Sequence, residues 1–234
     1  MSSLCLLCSC SLTEPIGWRS LFTLHKTNVI CRTCQEQLEE ISGETCGICN
    51  RLFNMIDDQF RHGDLCYDCV RWETDAKWSG LIERNHSLFV YNDFLKEVLM
   101  RFKFRGDYII SKVFCQKIIE TLNDISYDIL VPIPLSEERL YERGFNQAEA
   151  LIQEAGLKSV NALTRIHTEK QSKKSRMERI HLEQVFRVTE PQIKEKRIVL
   201  VDDIYTTGST LRHAAKMLKE AGAKSVSSLT VARG

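Results

Sequence analysis

Val199-Leu200-Val201-Asp202-Asp203-Ile204-Tyr205-Thr206-Thr207-Gly208-Ser209-Thr210 is the stretch that decides how this chain is read. Residues 198–201 are uninterruptedly apolar and rich in β-branched side chains, the texture of a strand buried on both faces. Two carboxylates bound it, and a turn of Thr, Gly and Ser leads on. Beyond that turn Leu211, Ala214, Ala215, Leu218 and Ala221 recur at helical spacing, and Gly222 closes the run. Residues 226–231 supply one more strand. Strand, helix and strand in this order predict a parallel βαβ unit, and with it an α/β domain.

An open α/β sheet binds its ligands outside the carboxyl ends of its strands, where this turn falls. The first turn of the following helix offers unpaired N–H groups and the positive end of a dipole, which suit a phosphate. Gly208 allows a close backbone approach, while Thr206, Thr207, Ser209 and Thr210 add hydroxyl donors. Asp202 and Asp203 are acceptors set beside that cradle, suited to sugar hydroxyls or to waters around Mg²⁺. A phosphate next to a vicinal diol describes a ribose 5-phosphate. Taken singly, each part is more often an ordinary strand end or N-cap turn; their succession points to binding.

Working back along the chain, Leu95, Val98, Leu99 and Phe102 repeat at helical spacing, as do Ile109, Ile110, Val113, Phe114 and Ile118. A short apolar run over 129–131 ends at Pro132, a helix is expected over 146–154 with a stop near Gly156, and 162–165 reads as a strand. The segment 168–179 is polar and rich in Lys and Ser. Before residue 70 the texture is different: loops and short turns with little core of their own. The boundary between the two textures divides the chain into a cysteine-rich module over 1–85 and an α/β domain over 86–234.

Eight of the ten cysteines form four Cys-x-x-Cys pairs, Cys5/Cys8, Cys31/Cys34, Cys46/Cys49 and Cys66/Cys69. Each pair can offer two thiolates to one ion from a tight turn, and two pairs complete a tetrahedral zinc site. Pairing in sequence order leaves residues 9–30 and 50–65 between partners, 22 and 16 residues, both compatible with zinc ribbons. An interleaved pairing stays open, as does the choice between one ion and two. His62 is a substitute ligand at the second site, Cys115 falls on an apolar helix face, and Cys10 is read as a spare.

Over the 234 residues, hydrophobic residues make up 43%, charged residues 27%, and the net charge is +1. That balance excludes a disordered or fibrous chain and a polycation for nucleic acid, so any nucleic-acid contact must be local. No apolar run approaches the ~20 residues that span a bilayer, so no membrane insertion is expected. The first twelve residues lack the basic region of a signal peptide, and a cytoplasmic location follows. In that compartment thiols stay reduced, which again favours metal over disulfides.

The motif at 199–210 resembles the signature of the type I phosphoribosyltransferases: a hydrophobic strand, two acids and Thr-Thr-Gly-x-Thr. Val131-Pro132-Ile133-Pro134-Leu135, then Arg139, then Glu142-Arg143-Gly144-Phe145-Asn146-Gln147-Ala148, is similar to a hallmark of the ComF family. Phe102-Lys103-Phe104-Arg105-Gly106-Asp107 and Gln171-Ser172 match it as well. With the cysteine pairs in front, the resemblance covers nearly the whole chain. It implies a Rossmann-like parallel sheet flanked by helices, preceded by a small zinc module.

By this resemblance Asp202 and Asp203 take the ribose hydroxyls of phosphoribosyl pyrophosphate, with Mg²⁺, and residues 206–210 take its 5-phosphate. Pro132, Ile133 and Pro134 would hold the pyrophosphate, with Arg139, Arg143, Lys103 and Arg105 to neutralise it. Lys170, Lys173 and Lys174, in one basic segment with Arg176 and Arg179, match the loop that closes over substrate. The implied role is natural transformation: handling incoming single-stranded DNA in the cytoplasm, with the ComFA helicase-like ATPase as a partner. Phe102, Phe104 and Phe145, among Arg101, Lys103, Arg105, Arg139 and Arg143, have the mix of aromatic and basic residues that single strands favour. The alternative is an active phosphoribosyltransferase with an unidentified acceptor, acting outside DNA uptake.

Overall fold

The computed structural model describes residues 3–12, 28–166 and 185–234. An antiparallel pair, β1 (Ser3–Leu4) and β2 (Ser11–Leu12), is followed by α1 (Arg32–Gln37). A second pair, β3 (Arg61–His62) and β4 (Leu65–Cys66), runs into α2 (Tyr67–Thr74). Next come β5 (Asn85–Val90), α3 (Asp93–Phe104), α4 (Ser111–Asn123), β6 (Ile129–Pro132), α5 (Glu137–Arg143) and α6 (Gln147–Glu154). The short strand β7 (Leu163–Arg165) pairs antiparallel with β8 (Phe186–Val188). Last are β9 (Arg197–Tyr205), α7 (Ser209–Glu220) and β10 (Ser225–Arg233).

Four strands form one parallel sheet in the order β5-β10-β9-β6. Side chains of β9 alternate across it: Val199 and Val201 enter one apolar cluster, Ile198 and Leu200 the other. Helices α3, α4 and α6 cover the first face, and α7 covers the second with Leu211, Ala214, Ala215 and Leu218. The helix and strand expected around the motif are therefore present. Two differences stand out. Strand β9 does not stop before the acids but continues through Asp202 and Asp203 to Tyr205, because β10 pairs with it as far as Tyr205 opposite Arg233. Helix α5 went unanticipated, since its seven residues bury no side chain and leave no apolar stripe to read.

The cysteine-rich segment wraps the β5 edge of this sheet. Residues 39–41 pair with β5, Ile41 N–H donating to Leu88 O at 3.2 Å and Val90 N–H to Glu39 O at 2.9 Å. That pairing covers what would be an open edge. From there the segment reaches both faces: Cys5, Leu7, Cys34 and Leu38 join the cluster with α3 and α4, while Cys46, Cys49, Phe53, Cys66, Cys69 and Ile82 join the cluster with α7. Both apolar clusters thus draw on residues from either side of position 85. Among the described residues no helix is long and apolar enough to cross a membrane.

The two cysteine clusters differ in access. Cys8 and Cys10 are exposed, whereas Cys46, Cys49, Cys66 and Cys69 are at most 1% exposed. Metal-loaded protein is therefore expected to release its ions to a chromogenic chelator in two phases, with Cys8→Ser abolishing the fast one. A single phase, or a fast phase that survives Cys8→Ser, would contradict this difference.

Candidate functional site

Asp202 and Asp203 lie near the carboxyl end of β9, where Asp203 faces α3 of the first layer. Asp203 is 7% exposed, and its Oδ1 lies 2.9 Å from Lys103 Nζ, so α3 supplies a counter-ion across the crevice. The Asp203 N–H donates to Asp202 Oδ1 at 2.8 Å. Burial pushes the Asp202 carboxyl up to about 7, assisted by the charge of Asp203; the Asp203 N–H, Lys103 and Arg143 pull the other way. Burial and the neighbouring Arg139 both lower Arg143, while Asp203 and Asp202 raise it. Arg165 on β7 is likewise lowered by burial and by Arg139 and raised by Asp202. Lys103 therefore pairs with Asp203, and Arg143 and Arg165 lie within electrostatic reach of the two carboxylates.

The Pro132–Ile133–Pro134 turn is held over the same edge from two sides. Ile133 N–H donates to Val201 O at 2.9 Å, and Asn146 Nδ2 donates to Ile133 O at 3.0 Å. The Oδ1 of Asn146 also accepts from Ala148 N–H at 2.9 Å, capping α6. Ser136 caps α5 by accepting from Arg139 N–H, and Gly144 ends that helix at φ +78. Arg143, in the last turn of α5, donates to Gln147 Oε1 at 2.8 Å, while its buried Nε has no partner among the described residues. The capping residues thus fix both ends of α5, the helix that carries Arg139 and Arg143.

Residues 206–210 lead from β9 into α7. Thr206 and Thr207 are exposed, and Gly208 adopts φ +77. A Cβ at 208 would run into the Tyr205 ring and hydroxyl, so both the backbone angle and the space require glycine there. Thr207 O accepts from Trp72 Nε1 at 3.0 Å, and Ser209 N–H donates to Thr207 Oγ1 at 3.4 Å. Arg233 Nη1 donates to Tyr205 O at 3.1 Å and to Thr206 O at 3.0 Å. A turn leading into the N-terminus of α7 beside the acids is a place whose N–H groups can donate to an anion.

The cysteines gather into two groups. Cys46, Cys49, Cys66 and Cys69 have their sulfurs within 4.8 Å of one another. Hydrogen bonds with Cys49, Cys66 and Cys69 hold Cys46 far below the ordinary thiol value, and contacts with Cys46 first, then Cys49 and Cys66, drive Cys69 far above it. Four adjacent sulfurs can all be thiolates only around a cation, so this donor set fits a structural zinc. Helix α2 starts on Cys66, whose N–H donates to Cys46 Sγ at 3.3 Å.

The second group places Cys5, Cys8 and Cys31 together with Cys10, again within 4.8 Å. Cys34 is buried beside Cys5, Cys8 and Cys31, and its N–H donates to Cys31 Sγ at 3.5 Å. Cys10, read from the sequence as a spare, is the correction: Cys5 N–H donates to Cys10 O at 2.8 Å, and this turn folds the extra thiol back onto the cluster. His62 lies on β3 and pairs opposite Leu65; its ring stacks near Tyr67.

Of the three phenylalanines proposed as a stacking platform, Phe102 is fully buried. Phe145 packs on Phe102 and Tyr108, with ring centres 5.5 and 5.0 Å away. Only Phe104, 64% exposed with Arg143 5.4 Å over its ring, is presented to solvent. Lys170, Lys173, Lys174 and the Gln171-Ser172 pair lie outside the described residues. Sequence reading missed Trp72, Arg165 and Arg233. An arginine at the carboxyl end of the strand next to the motif strand was a signal for the last; the other two carry none.

A family model described as "Phosphoribosyl transferase domain" matches residues 110–234. Competence protein ComFC of Bacillus subtilis is 42% identical over 234 residues, covering 98% of this chain and 95% of that protein. Competence protein ComFC of Streptococcus pneumoniae is 33% identical over 230 residues, covering 98% and 99%. Among solved structures, a phosphoribosyltransferase from Corynebacterium diphtheriae overlays with a TM-score of 0.35 at 20% identity, covering 58% of this chain and 78% of that one, too faint a likeness to argue from. Identity of 42% over 98% of the chain, together with a phosphoribosyl transferase domain over residues 110–234, places the chain in the ComFC family of competence proteins.

Proposed function

We propose that this chain binds phosphoribosyl pyrophosphate with Mg²⁺ at the β9–α7 edge, and that it serves natural transformation by handling incoming single-stranded DNA. The observation that carries the first part is the pairing of two carboxylates at the strand end with a glycine-dependent turn, beside Lys103, Arg143 and Arg165. The second part rests on relatives named as competence proteins. In this reading the chain works in the cytoplasm with the ComFA helicase-like ATPase, residues 1–85 act as a zinc module holding two ions, and residues 86–234 hold the donor site.

Each group then has a defined task. Asp202 and Asp203 accept from the vicinal ribose hydroxyls, and Asp203 exchanges part of its ion pair with Lys103 for them. The N–H groups and hydroxyls of 206–210 take the 5-phosphate. Arg139, Arg143 and Arg165 stand on the pyrophosphate side. Mg²⁺, when bound with the donor, supplies charge neutralisation to the pyrophosphate. Phe104, exposed beside Arg143, is a stacking surface at the mouth of the crevice for a base or a single strand. The arginine cluster also favours a second reading, turnover as a phosphoribosyltransferase with an unidentified acceptor. Preorganised cations at a departing pyrophosphate are what such a reaction needs.

Calorimetric titration of Mg²⁺ and phosphoribosyl pyrophosphate into the full chain tests the proposal. Binding is expected, and Asp202→Asn with Asp203→Asn should weaken it by about 100-fold or more, since each charged acceptor is worth roughly 1.5–3 kcal/mol. A folded double variant that binds like the wild type would remove the site assignment. Repeating the titration with a short single-stranded oligonucleotide reads coupling to DNA; oligonucleotide that neither binds nor alters donor affinity would count against the DNA role.

The raised Asp202 carboxyl sets a pH dependence. It keeps its proton up to about pH 7 in the ligand-free protein and becomes a full acceptor only above that. Donor affinity should therefore climb as pH rises through about 7 and level off beyond it. In Asp202→Asn the affinity should be lower and that step absent. A step of the same size in both proteins would assign it to the donor's own phosphates instead.

A further inference from the structure

Three successive carbonyls of the phosphate turn are pulled toward the Cys46/Cys49/Cys66/Cys69 cluster. Tyr205 O accepts from Arg233 Nη1 at 3.1 Å and from Gly234 N–H at 2.9 Å. Thr206 O accepts from Arg233 Nη1 at 3.0 Å, and Thr207 O accepts from Trp72 Nε1 at 3.0 Å. In a trans peptide the carbonyl and the following N–H point in opposite directions. Anchoring these three oxygens on one side therefore turns the N–H groups of Thr206, Thr207 and Gly208 to the other side. Consecutive N–H groups so arranged form an anion-binding concavity.

Both anchoring side chains belong to the metal site's surroundings. Arg233 is 6% exposed, and its Nη2 donates to Cys49 Sγ at 3.3 Å, so one guanidinium joins a cluster sulfur to the turn. A buried guanidinium needs an opposing charge, and four thiolates around a divalent ion carry a net negative one. Trp72 stands on α2, the helix that begins on Cys66 and contains Cys69. A further tie fixes the same helix to α7: Arg212 on α7, fully buried, pairs with Glu73 at 2.9 Å, donates to Trp78 O, and lies 5.1 Å over the Trp72 ring.

We propose that Arg233 and Trp72 are positioning residues through which metal occupancy of the Cys46/Cys49/Cys66/Cys69 site orients the peptide planes of 205–208 and thereby sets affinity for a ribose 5-phosphate. This rests on the reading of that turn as the phosphate cradle. Neither residue touches the ligand; each acts by holding a carbonyl. Loss of the ion removes the charge opposite Arg233 and frees α2, and the turn loses its preset N–H directions. The metal module then does more than support the fold: it tunes the donor site.

The test uses the full, metal-loaded chain and three variants: Trp72→Phe, which keeps a ring and removes the N–H; Arg233→Met; and Arg233→Lys. Metal content, amide hydrogen exchange over 206–208 without ligand, and calorimetric binding of Mg²⁺ and phosphoribosyl pyrophosphate are measured on each. Trp72→Phe and Arg233→Met should keep wild-type metal content, exchange faster over 206–208, and bind the donor about fivefold or more weakly, as expected for a lost hydrogen bond to a preset turn. Arg233→Lys, which keeps the charge, should recover part of the affinity. Chelation should loosen the turn in the wild type and add little in Arg233→Met. Wild-type exchange and affinity in both Trp72→Phe and Arg233→Lys would overturn the proposal, even if Arg233→Met fails to fold. Faster exchange in the variants, alongside a wild type that does not bind the donor, would support the positioning role and reject the donor reading.

Discussion

Parallel pairing of β9 with β10 brings the chemistry of this molecule to one edge. The register sets Asp202 opposite Thr230 and Tyr205 opposite Arg233, so the acids, the start of the phosphate turn and the bridging guanidinium leave the sheet together. The pairing also explains why two carboxylates tolerate a place inside a strand. Their backbone groups are satisfied by the ladder, and their side chains find Lys103 and a neighbouring N–H in the crevice. Without β10 extending that far, the motif would be a frayed strand end, and the turn beyond it would have no fixed direction.

The cysteine-rich segment reaches both faces of the same sheet. Its residues are too few and too polar to close a core alone, and the sheet supplies the missing apolar surface: Cys5 and Leu38 pack with α3 and α4, and Cys46 and Phe53 pack with α7. One strip, 39–41, covers the β5 edge between the two clusters. Cys-x-x-Cys turns lead into helices at Cys31 and Cys66, so the same residues shape the sulfur sites and aim α1 and α2. The α2 direction is what delivers Trp72 to the phosphate turn.

Positive charge is in excess in the crevice before any ligand arrives. Lys103 opposes Asp203, while Arg139 bears on Arg143 and Arg165, and Asp202 eases those two. Such an arrangement is costly in isolation, since like charges are gathered in a partly desolvated place. In the proposed donor complex a polyanionic ligand would relieve the crowding and a sugar diol would take over the acceptors, so that binding exchanges one set of pairs for another.

Local pattern alone determined much here. A continuous apolar run marked β9, apolar positions at helical spacing marked α7, and a further short run marked β10, while the acids, glycine and hydroxyls between them marked a candidate anion cradle; all follow from backbone geometry over short stretches. Cys-x-x-Cys spacing marked metal sites for the same reason. Tertiary structure decided the rest, because it turns on residues far apart in the chain. Cys10 joined a cluster through a turn no spacing rule requires, Phe102 and Phe145 went to the core while Phe104 stayed outside, and Arg165 arrived from another strand pair. Arg233 meets Cys49 across 184 positions, and Trp72 meets Thr207 across 135, distances that only the packed sheet can close.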